Sequence, residues 1–244
     1  MNYLRNYVGP VFRREFAAYF ATPLAFVFIV IFLLAMGSFT FYVGHFYQNG
    51  VADLSVFFAY HPWLYLFLVP ALAMRLWAEE RRSGTMELLL TLPIPLSASV
   101  IGKFLAAWAF LSTALLLSFP MAATVAYLGD PDWGVVAVSY LGAILMAAAY
   151  LGICSLTSAF TKNQVISFVV SFLVCLGVVF LGWSIFNGVM ERVLPVWAVD
   201  LLANFSFVTH FDAFTKGIVD PKDVIYFLSL TGFTLFLNVV ALER

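Results

Sequence analysis

Apolar residues run almost unbroken through six stretches of the chain, and charge, proline or glycine separates one stretch from the next. A helix needs about 20 such residues to cross a bilayer. Stretches at about 23–45, 57–77, 100–128, 134–160, 165–186 and 224–242 meet that length and predict six transmembrane helices. Thr22-Pro23 is a good helix start for the first. Pro70 predicts a kink inside the second, and Pro120 lies near the outer part of the third. Residues 1–22 follow a different pattern. Leu4, Val8, Val11, Phe12, Phe16, Tyr19 and Phe20 recur at three- and four-residue steps, with Arg5, Asn6, Arg13 and Arg14 between them. That spacing predicts an amphipathic helix in the membrane interface, arginines toward headgroup phosphates. A fraying tail is the plainer alternative. Residues 187–223 carry Val193, Leu194, Val196, Trp197, Val199, Leu201, Leu202, Phe205, Phe207 and Val208 among polar neighbours. They read as short helices dipping into the outer leaflet and capping the bundle. One extra span at about 189–211 is the rival, opposed by Glu191, Arg192, Asp200, Asn204 and His210.

Composition strengthens the membrane reading. Of 244 residues, 64% are hydrophobic and 10% charged. A soluble domain carries about 25% charged residues, so this chain lacks the material for a wet surface. The whole sequence is one transmembrane domain, 1–244. Net charge is -1, which leaves no basic field and no nucleic-acid partner. The N-terminal arginines are not followed by a short apolar core and a small-residue cleavage site, so no removable signal peptide is expected.

Charge also orients the bundle. With six spans both termini share a side. That side holds Arg5, Arg13, Arg14, Arg75, Arg81, Arg82, Lys103, Lys162 and Arg244, against Arg192, Lys216 and Lys222 on the other. The positive-inside rule makes the first side cytoplasmic. Both termini, the 78–99 loop and the 161–164 turn are then cytoplasmic, and 187–223 is external.

Few residues offer chemistry. Ionisable groups are nearly absent at mid-depth, where proton- and ion-coupled carriers place them. Arg75 and Lys103 are expected to snorkel from cytoplasmic ends. His45, His61 and His210 read as outward-facing, without metal-ligand spacing. Cys154 and Cys175 read as small core residues rather than a disulfide framework. Ser155, Thr157, Ser158, Ser167 and Ser171 read as helix-packing hydroxyls, and the six tryptophans mostly as interfacial anchors. No P-loop is present, since Gly102-Lys103 lacks both the preceding loop and the following hydroxyl. No catalytic or metal residue is assigned, and any energy source lies outside the chain.

The densest charge is in Glu79-Glu80-Arg81-Arg82-Ser83-Gly84-Thr85-Met86-Glu87-Leu88-Leu89-Leu90-Thr91-Leu92-Pro93. The two acids and two arginines can neutralise one another at the end of span two. Ser83-Gly84 breaks the helix. Thr85 can cap a second helix from Met86, with Glu87 in its first turn and an apolar flank at Leu88, Leu89, Leu90 and Leu92. Pro93 and Pro95 end it, and Ser97 or Ser99 can open span three. On the residues alone, this is either a short rigid helix able to transmit force or a solvated interfacial loop.

The same stretch, followed by Ile101-Gly102-Lys103-Phe104, resembles the signature of ABC-2-type permeases, the membrane subunits of a class of ATP-binding cassette exporters. The chain further resembles the gliding-motility-type branch. The likeness lies in Gly129-Asp130-Pro131-Asp132, Ser139-Tyr140-Leu141-Gly142, Ser158 through Gln164, His210 through Asp220, and Asp223 through Phe227. A branch that serves copper-site maturation of nitrous oxide reductase is a second relative. The resemblance implies an all-α polytopic fold of ABC-2 exporter type: six spans, an N-terminal interfacial helix and a cytoplasmic coupling helix. It implies a coupling helix at Thr85, Met86, Glu87, Leu88, Leu89 and Leu90, and a charged hinge at Glu79, Glu80, Arg81 and Arg82. A second ATPase contact falls at Thr161, Lys162, Asn163 and Gln164. The implied partners are ABC-type ATPase subunits that bind ATP and Mg, a second permease copy or paralogue, membrane lipids and a periplasmic auxiliary protein. The implied location is a bacterial plasma membrane. Two other readings stay open: a scaffold anchoring an extracytoplasmic machine, and a lipid-headgroup transferase.

Overall fold

The structure is a computed structural model and describes residues 7–44, 54–91, 94–192 and 194–243. Leu4, Arg5, Asn6, His45, Leu92, Pro93, Val193 and Arg244 lie outside the described residues, as do the side chains of Leu88, Leu89 and Leu90. All regular elements among the described residues are helical. They are α1 (Gly9–Phe20), α2 (Pro23–Ser38), a π-helical turn (Phe39–Val43), α3 (Ser55–Ala59), α4 (His61–Ala73), α5 (Ala78–Ser83) and α6 (Thr85–Thr91). They continue as α7 (Leu96–Leu116), α8 (Phe119–Leu128), α9 (Trp133–Ala159), α10 (Gln164–Phe180), α11 (Ser184–Met190), α12 (Val196–Ala203), α13 (Phe207–Thr215) and α14 (Pro221–Glu243).

The axis of the fold is α9, which packs against α4, α7, α10, α13 and α14. Its sequence explains why. Alanines and glycines recur through its middle, and Ala143, Ala147, Ala149 and Gly152 are buried. Small residues let neighbouring backbones approach closely, which matters where lipid removes the hydrophobic drive between helices. At Gly152 a Cβ would stand 2.3 Å from Thr234 Oγ1 of α14. Asp132 caps the helix by accepting from the backbone N–H of Gly134 at 2.8 Å and of Val135 at 3.3 Å.

Among the described residues, four segments are long and apolar enough to cross a membrane: Ala25–Val43, Leu96–Leu128, Trp133–Ala159 and Pro221–Glu243. The fifth expected span, 165–186, does not stay straight. It ends at Phe180, and α11 leaves at 75°. The turn at Leu181–Trp183 packs Gly182 against Ser206 and Thr209, where a Cβ would meet Ser206 Oγ at 2.4 Å. The second expected span, 57–77, is realised as α3, α4 and a turn over 74–77. At 13 residues α4 alone spans only about 20 Å. The third breaks at Leu117-Ser118, two residues ahead of Pro120, as proline within the first turn of α8 requires.

The outer segment forms α11, α12 and α13. Only α13 is well covered, with Phe207, His210, Phe211 and Phe214 buried against the bundle. At the other end α1 lies along α7, with Tyr19 stacked on Phe110 at 5.0 Å between centroids. The N-terminal helix is thus packed on protein along one face, while Arg13 and Arg14 stay exposed on the other.

Candidate functional site: an ion-paired hinge

The charged stretch folds as two short helices about a glycine. In α5 the acids Glu79 and Glu80 occupy the first turn and Arg81 and Arg82 the last. That order suits the helix dipole, and it explains why the run reads acid–acid–base–base. Gly84 ends α5 in the left-handed region with φ 74°, a conformation glycine adopts without a Cβ clash. The Ser83 hydroxyl donates to the Glu79 carbonyl at 2.9 Å, and Ser83 and Thr85 hydroxyls lie 2.9 Å apart. Helix α6 follows immediately, with Met86 buried and Glu87 exposed. Thr85 is the first helical residue rather than the cap before Met86. Likewise α7 opens at Leu96 after Pro95, not at Ser97 or Ser99, because proline already fixes the extended backbone a cap position needs.

The hinge charges do not neutralise one another. Glu80 Oε1 accepts from Lys103 Nζ at 2.8 Å, two turns into α7. The same ammonium lies 3.3 Å from Glu15 Oε1 on α1 and 5.4 Å above the Trp77 ring. Glu79 instead faces Arg75 at 3.9 Å, a loose and exposed pair worth little. The expectation that Lys103 snorkels is therefore wrong. Its side chain is 6% exposed, and two carboxylates and an aromatic face replace water around it. An ammonium buried without such partners would carry a desolvation cost of several kcal/mol. Burial works against the charge on Glu15, but Lys103 and Arg14 outweigh it and hold its carboxyl below the ordinary range.

Gly102 makes this meeting possible. A Cβ there would stand 2.7 Å from Val11 Cγ1 and 3.3 Å from the Val8 carbonyl, so α1 can cross α7 only over a glycine. Gly102-Lys103 is thus one device: the glycine admits α1, and the lysine binds it.

The other face of the hinge is held by α9. The helix breaks at 74–77, where the sequence has neither glycine nor proline. The Ser158 hydroxyl oxygen accepts from the backbone N–H of Trp77 and of Ala78, both at 3.1 Å, and its proton goes to the Met74 carbonyl at 3.2 Å. It supplies the partners the break removes. One turn earlier, Ser155 Oγ accepts from Trp77 Nε1 at 3.1 Å and from Asn238 Nδ2 of α14 at 2.6 Å. Trp77 is fully buried, a keystone between α5, α9 and α14 rather than an interfacial anchor. The expected packing role of the hydroxyls is met at Ser155 and Ser158, and Thr157 bonds to Ser171 across α9 and α10.

Between α1, α2, α4 and α5 opens a cavity of about 250 Å³. Phe28, Leu72 and Leu76 are among its apolar lining, and Glu15, Arg75, Glu79, Glu80 and Lys103 are its charged lining.

The 161–164 turn adjoins this end, since α10 packs against α5. Asn163 caps α10 by accepting from the Val165 N–H at 2.9 Å, and Thr161 accepts from the Asn163 N–H at 3.0 Å. Lys162 is exposed and Gln164 begins the helix.

His61 and His210 are buried within the protein, and His45 lies outside the described residues. His61 is fully buried among Phe57, Phe58, Phe32, Tyr65 and Phe211, with Nδ1 3.1 Å from the Phe57 carbonyl. His210 has Nδ1 2.6 Å from Asp223 and Nε2 2.7 Å from the Asn204 carbonyl, and its ring stacks on Tyr226. It ties the outer cap to α14. Cys154 and Cys175 are free, buried and 3.8 Å apart. Among the described residues no cluster suits a metal ion.

Long apolar helices around a buried α9, with a charged hinge at one end, define a multi-pass helical membrane protein. The model of the ABC-2 family transporter proteins matches residues 66–241, from within α4 almost to the end of α14. The chain belongs to the ABC-2 transporter family, and is a membrane component of that transport class. None of the curated proteins matches it.

Proposed function

We propose that this chain is the permease subunit of an ABC exporter, moved by a separate ABC-type ATPase through α6. The supporting observation is the mounting of that helix. Its stem α5 is bound to α7 through Lys103–Glu80 and to α9 through Ser158, while α6 itself begins just past the left-handed Gly84. A push on α6 would travel through α5 into α7, α9 and α1 rather than dissipate in a loop. Thr85, Met86 and Glu87, with Leu88, Leu89 and Leu90, form the ATPase contact in this reading. Residues 79–82 are the hinge and 161–164 a second contact at the same end.

The membrane arrangement has six crossings, with α3, α4 and the 74–77 turn together forming the second and both termini cytoplasmic. The excess of Lys and Arg on that side supports it. The membrane is a bacterial plasma membrane, and the branch is the gliding-motility type, in which α11–α13 would face a periplasmic auxiliary protein. Two permeases, identical or paralogous, form the pathway, and ATP and Mg are bound by the ATPase subunits.

The test is affinity purification of the tagged chain from its native membrane. An ABC-type ATPase is expected to co-purify, and Glu87→Arg is expected to abolish its stimulated hydrolysis while the chain still inserts. Absence of any ATPase, or normal coupling in the variant, would overturn the reading. If the ATPase couples but no lipid, peptide or polysaccharide is moved, ATP serves mechanical work on an external machine.

A further inference from the structure

His210 of α13 is held between two acceptors. Its Nδ1 lies 2.6 Å from Asp223 Oδ1, and its Nε2 lies 2.7 Å from the Asn204 carbonyl oxygen. A carbonyl only accepts, so Nε2 carries a hydrogen. An ionised carboxylate only accepts as well, so Nδ1 carries one too. The alternative places that second hydrogen on the Asp223 carboxyl, donating to Nδ1. Both descriptions hold the same number of protons, one more than a neutral imidazole beside a carboxylate. The pair is withdrawn from water, with side chains 11% and 2% exposed, and Asp223 Oδ2 is buried without a hydrogen-bond partner.

The ionisable groups on the surrounding elements have other partners. On α14, Tyr226 stacks on the His210 ring and donates its hydroxyl hydrogen to the Phe205 carbonyl at 2.5 Å, while Lys222 lies 3.0 Å from Asp220. On α13 itself, Lys216 pairs with Asp212. Helix α9 brings Tyr150, stacked on Phe207, and Tyr140, whose hydroxyl meets that of Ser118. Helix α4 brings His61 toward Phe211, and α10 brings Cys175, which faces Cys154. Helix α3 carries no ionisable side chain.

We propose that His210 and Asp223 form a proton-operated latch that fastens the end of α12 to the bundle. Asn204 directly follows α12, and α12 is poorly covered, with Val196, Trp197 and Leu201 exposed. When the extra proton leaves for water, one ring hydrogen remains for two acceptors. It stays on Nδ1, because a charged acceptor makes the stronger bond. The Nε2 lone pair then faces the Asn204 carbonyl, the contact turns repulsive, and α12 is released. The bond at Asn204 exists only in the protonated form, so α12 is held at low pH and loosens as the pH rises. The Tyr226 hydroxyl holds Phe205 in both forms and is the pivot. The latch does not rest on the exporter reading; within that reading the cap is external, and its posture follows the pH outside the cell.

The test is hydrogen exchange of the full chain in detergent at about pH 5.5 and about pH 9, with each rate corrected for the intrinsic pH dependence of amide exchange. Protection of residues 197–206 is expected to fall about tenfold or more at the higher pH, while the middle of α9 keeps its protection. Asp223→Asn separates a latch from an ordinary ion pair. The new amide donates to Nδ1, so a neutral imidazole satisfies both sides with its Nε2 hydrogen still on Asn204. In that variant residues 197–206 should stay protected at both pH values. His210→Gln removes the titrating ring, and whatever protection it retains should not change with pH. Equal protection of the parent chain at both pH values would overturn the proposal. So would a pH-dependent fall that survives either substitution, or a loss of protection in Asp223→Asn at both pH values, which is the result a simple ion pair gives.

Discussion

Lys103 Nζ lies 2.8 Å from Glu80 Oε1, and this contact joins α7 to the stem of the hinge. Both side chains are mostly withdrawn from water, at 6% and 19% exposed. Removing one partner of such a pair leaves the other charge stranded, which costs more than the pair itself contributes. Lys103→Met strands Glu80 and Glu15 together. The expected loss is about 1–3 kcal/mol, discounted from the fully buried case because both carboxylates keep some water. Thermal unfolding in detergent should show it, and Glu80→Gln on the Lys103→Met background should recover part of the loss. Additive effects of the two substitutions would mean that the residues do not interact.

Glu15 predicts an acid dependence. Its carboxyl titrates below its ordinary value of 4.5 in the folded chain, because Lys103 and Arg14 outweigh the cost of burial. A folded-state pKa below the unfolded one stabilises the fold at pH values above the ordinary value. That stabilisation is lost as the pH falls through the depressed folded value. The contribution is therefore flat between pH 7 and about 5.5 and declines below about 4.5. Comparing the pH dependence of unfolding for the parent chain and Glu15→Gln isolates it: the difference should shrink on acidification. A difference that grows as the pH falls would show that Glu15 carries no such charge interaction.

Much of the bundle is legible in the sequence because lipid imposes length and apolarity on every crossing segment. Trp133–Ala159 and Pro221–Glu243 lie within a few residues of the expected spans. The two-helix form of 78–91 is legible too, since Gly84 and the order of charges in α5 are local signals. What the sequence conceals is pairing between distant residues. Nothing near Glu80 announces Lys103, and nothing near the 74–77 turn announces Ser158, which lies 80 positions from Ala78. The break there has no local cause and exists because α9 supplies the missing acceptor. His210 reads as a lone external histidine until the fold sets Asp223 and the Asn204 carbonyl at its two nitrogens. Two weaker signals were available: Asn238 is a polar side chain inside an apolar span, and Glu15 is the one acid on an otherwise basic amphipathic helix.

The crossing of α1 over α7 depends on Gly102. In Gly102→Ala the new methyl would meet Val11 Cγ1 at 2.7 Å and Val11 Cβ at 2.8 Å, inside normal contact distance. Overpacking of this kind costs about 1–3 kcal/mol, and the least anchored partner, α1, should move. Arg13 and Arg14 are exposed on α1 and give trypsin its cleavage sites. Cleavage there should be several-fold faster in Gly102→Ala than in the parent. Adding Val11→Ala, which removes the Cγ1 contact and leaves that with Cβ, should slow it in part. Unchanged cleavage in the single variant would show that α1 is not seated at Gly102.

Ser158 provides the sharpest separation between a mechanical joint and ordinary packing. Ser158→Ala leaves the N–H groups of Trp77 and Ala78 and the Met74 carbonyl without their side-chain partner in a buried position. Each such group costs about 1–3 kcal/mol when unsatisfied, but the damage is local to the turn between α4 and α5. Ser167 is the natural control. Its hydroxyl is also buried, and it has no hydrogen-bond partner, so Ser167→Ala removes a polar group that contributes nothing and should be neutral or stabilising. Hydrogen exchange distinguishes the two. In Ser158→Ala, amides of residues 77–83 should exchange about tenfold faster or more, as roughly 1.4 kcal/mol of local opening requires. Protection in the middle of α9 should stay at the parental level. Uniform loss of protection across α9 and α5 alike would make Ser158 a global packing residue, and equal effects of the Ser158 and Ser167 substitutions would remove its special tie to the hinge.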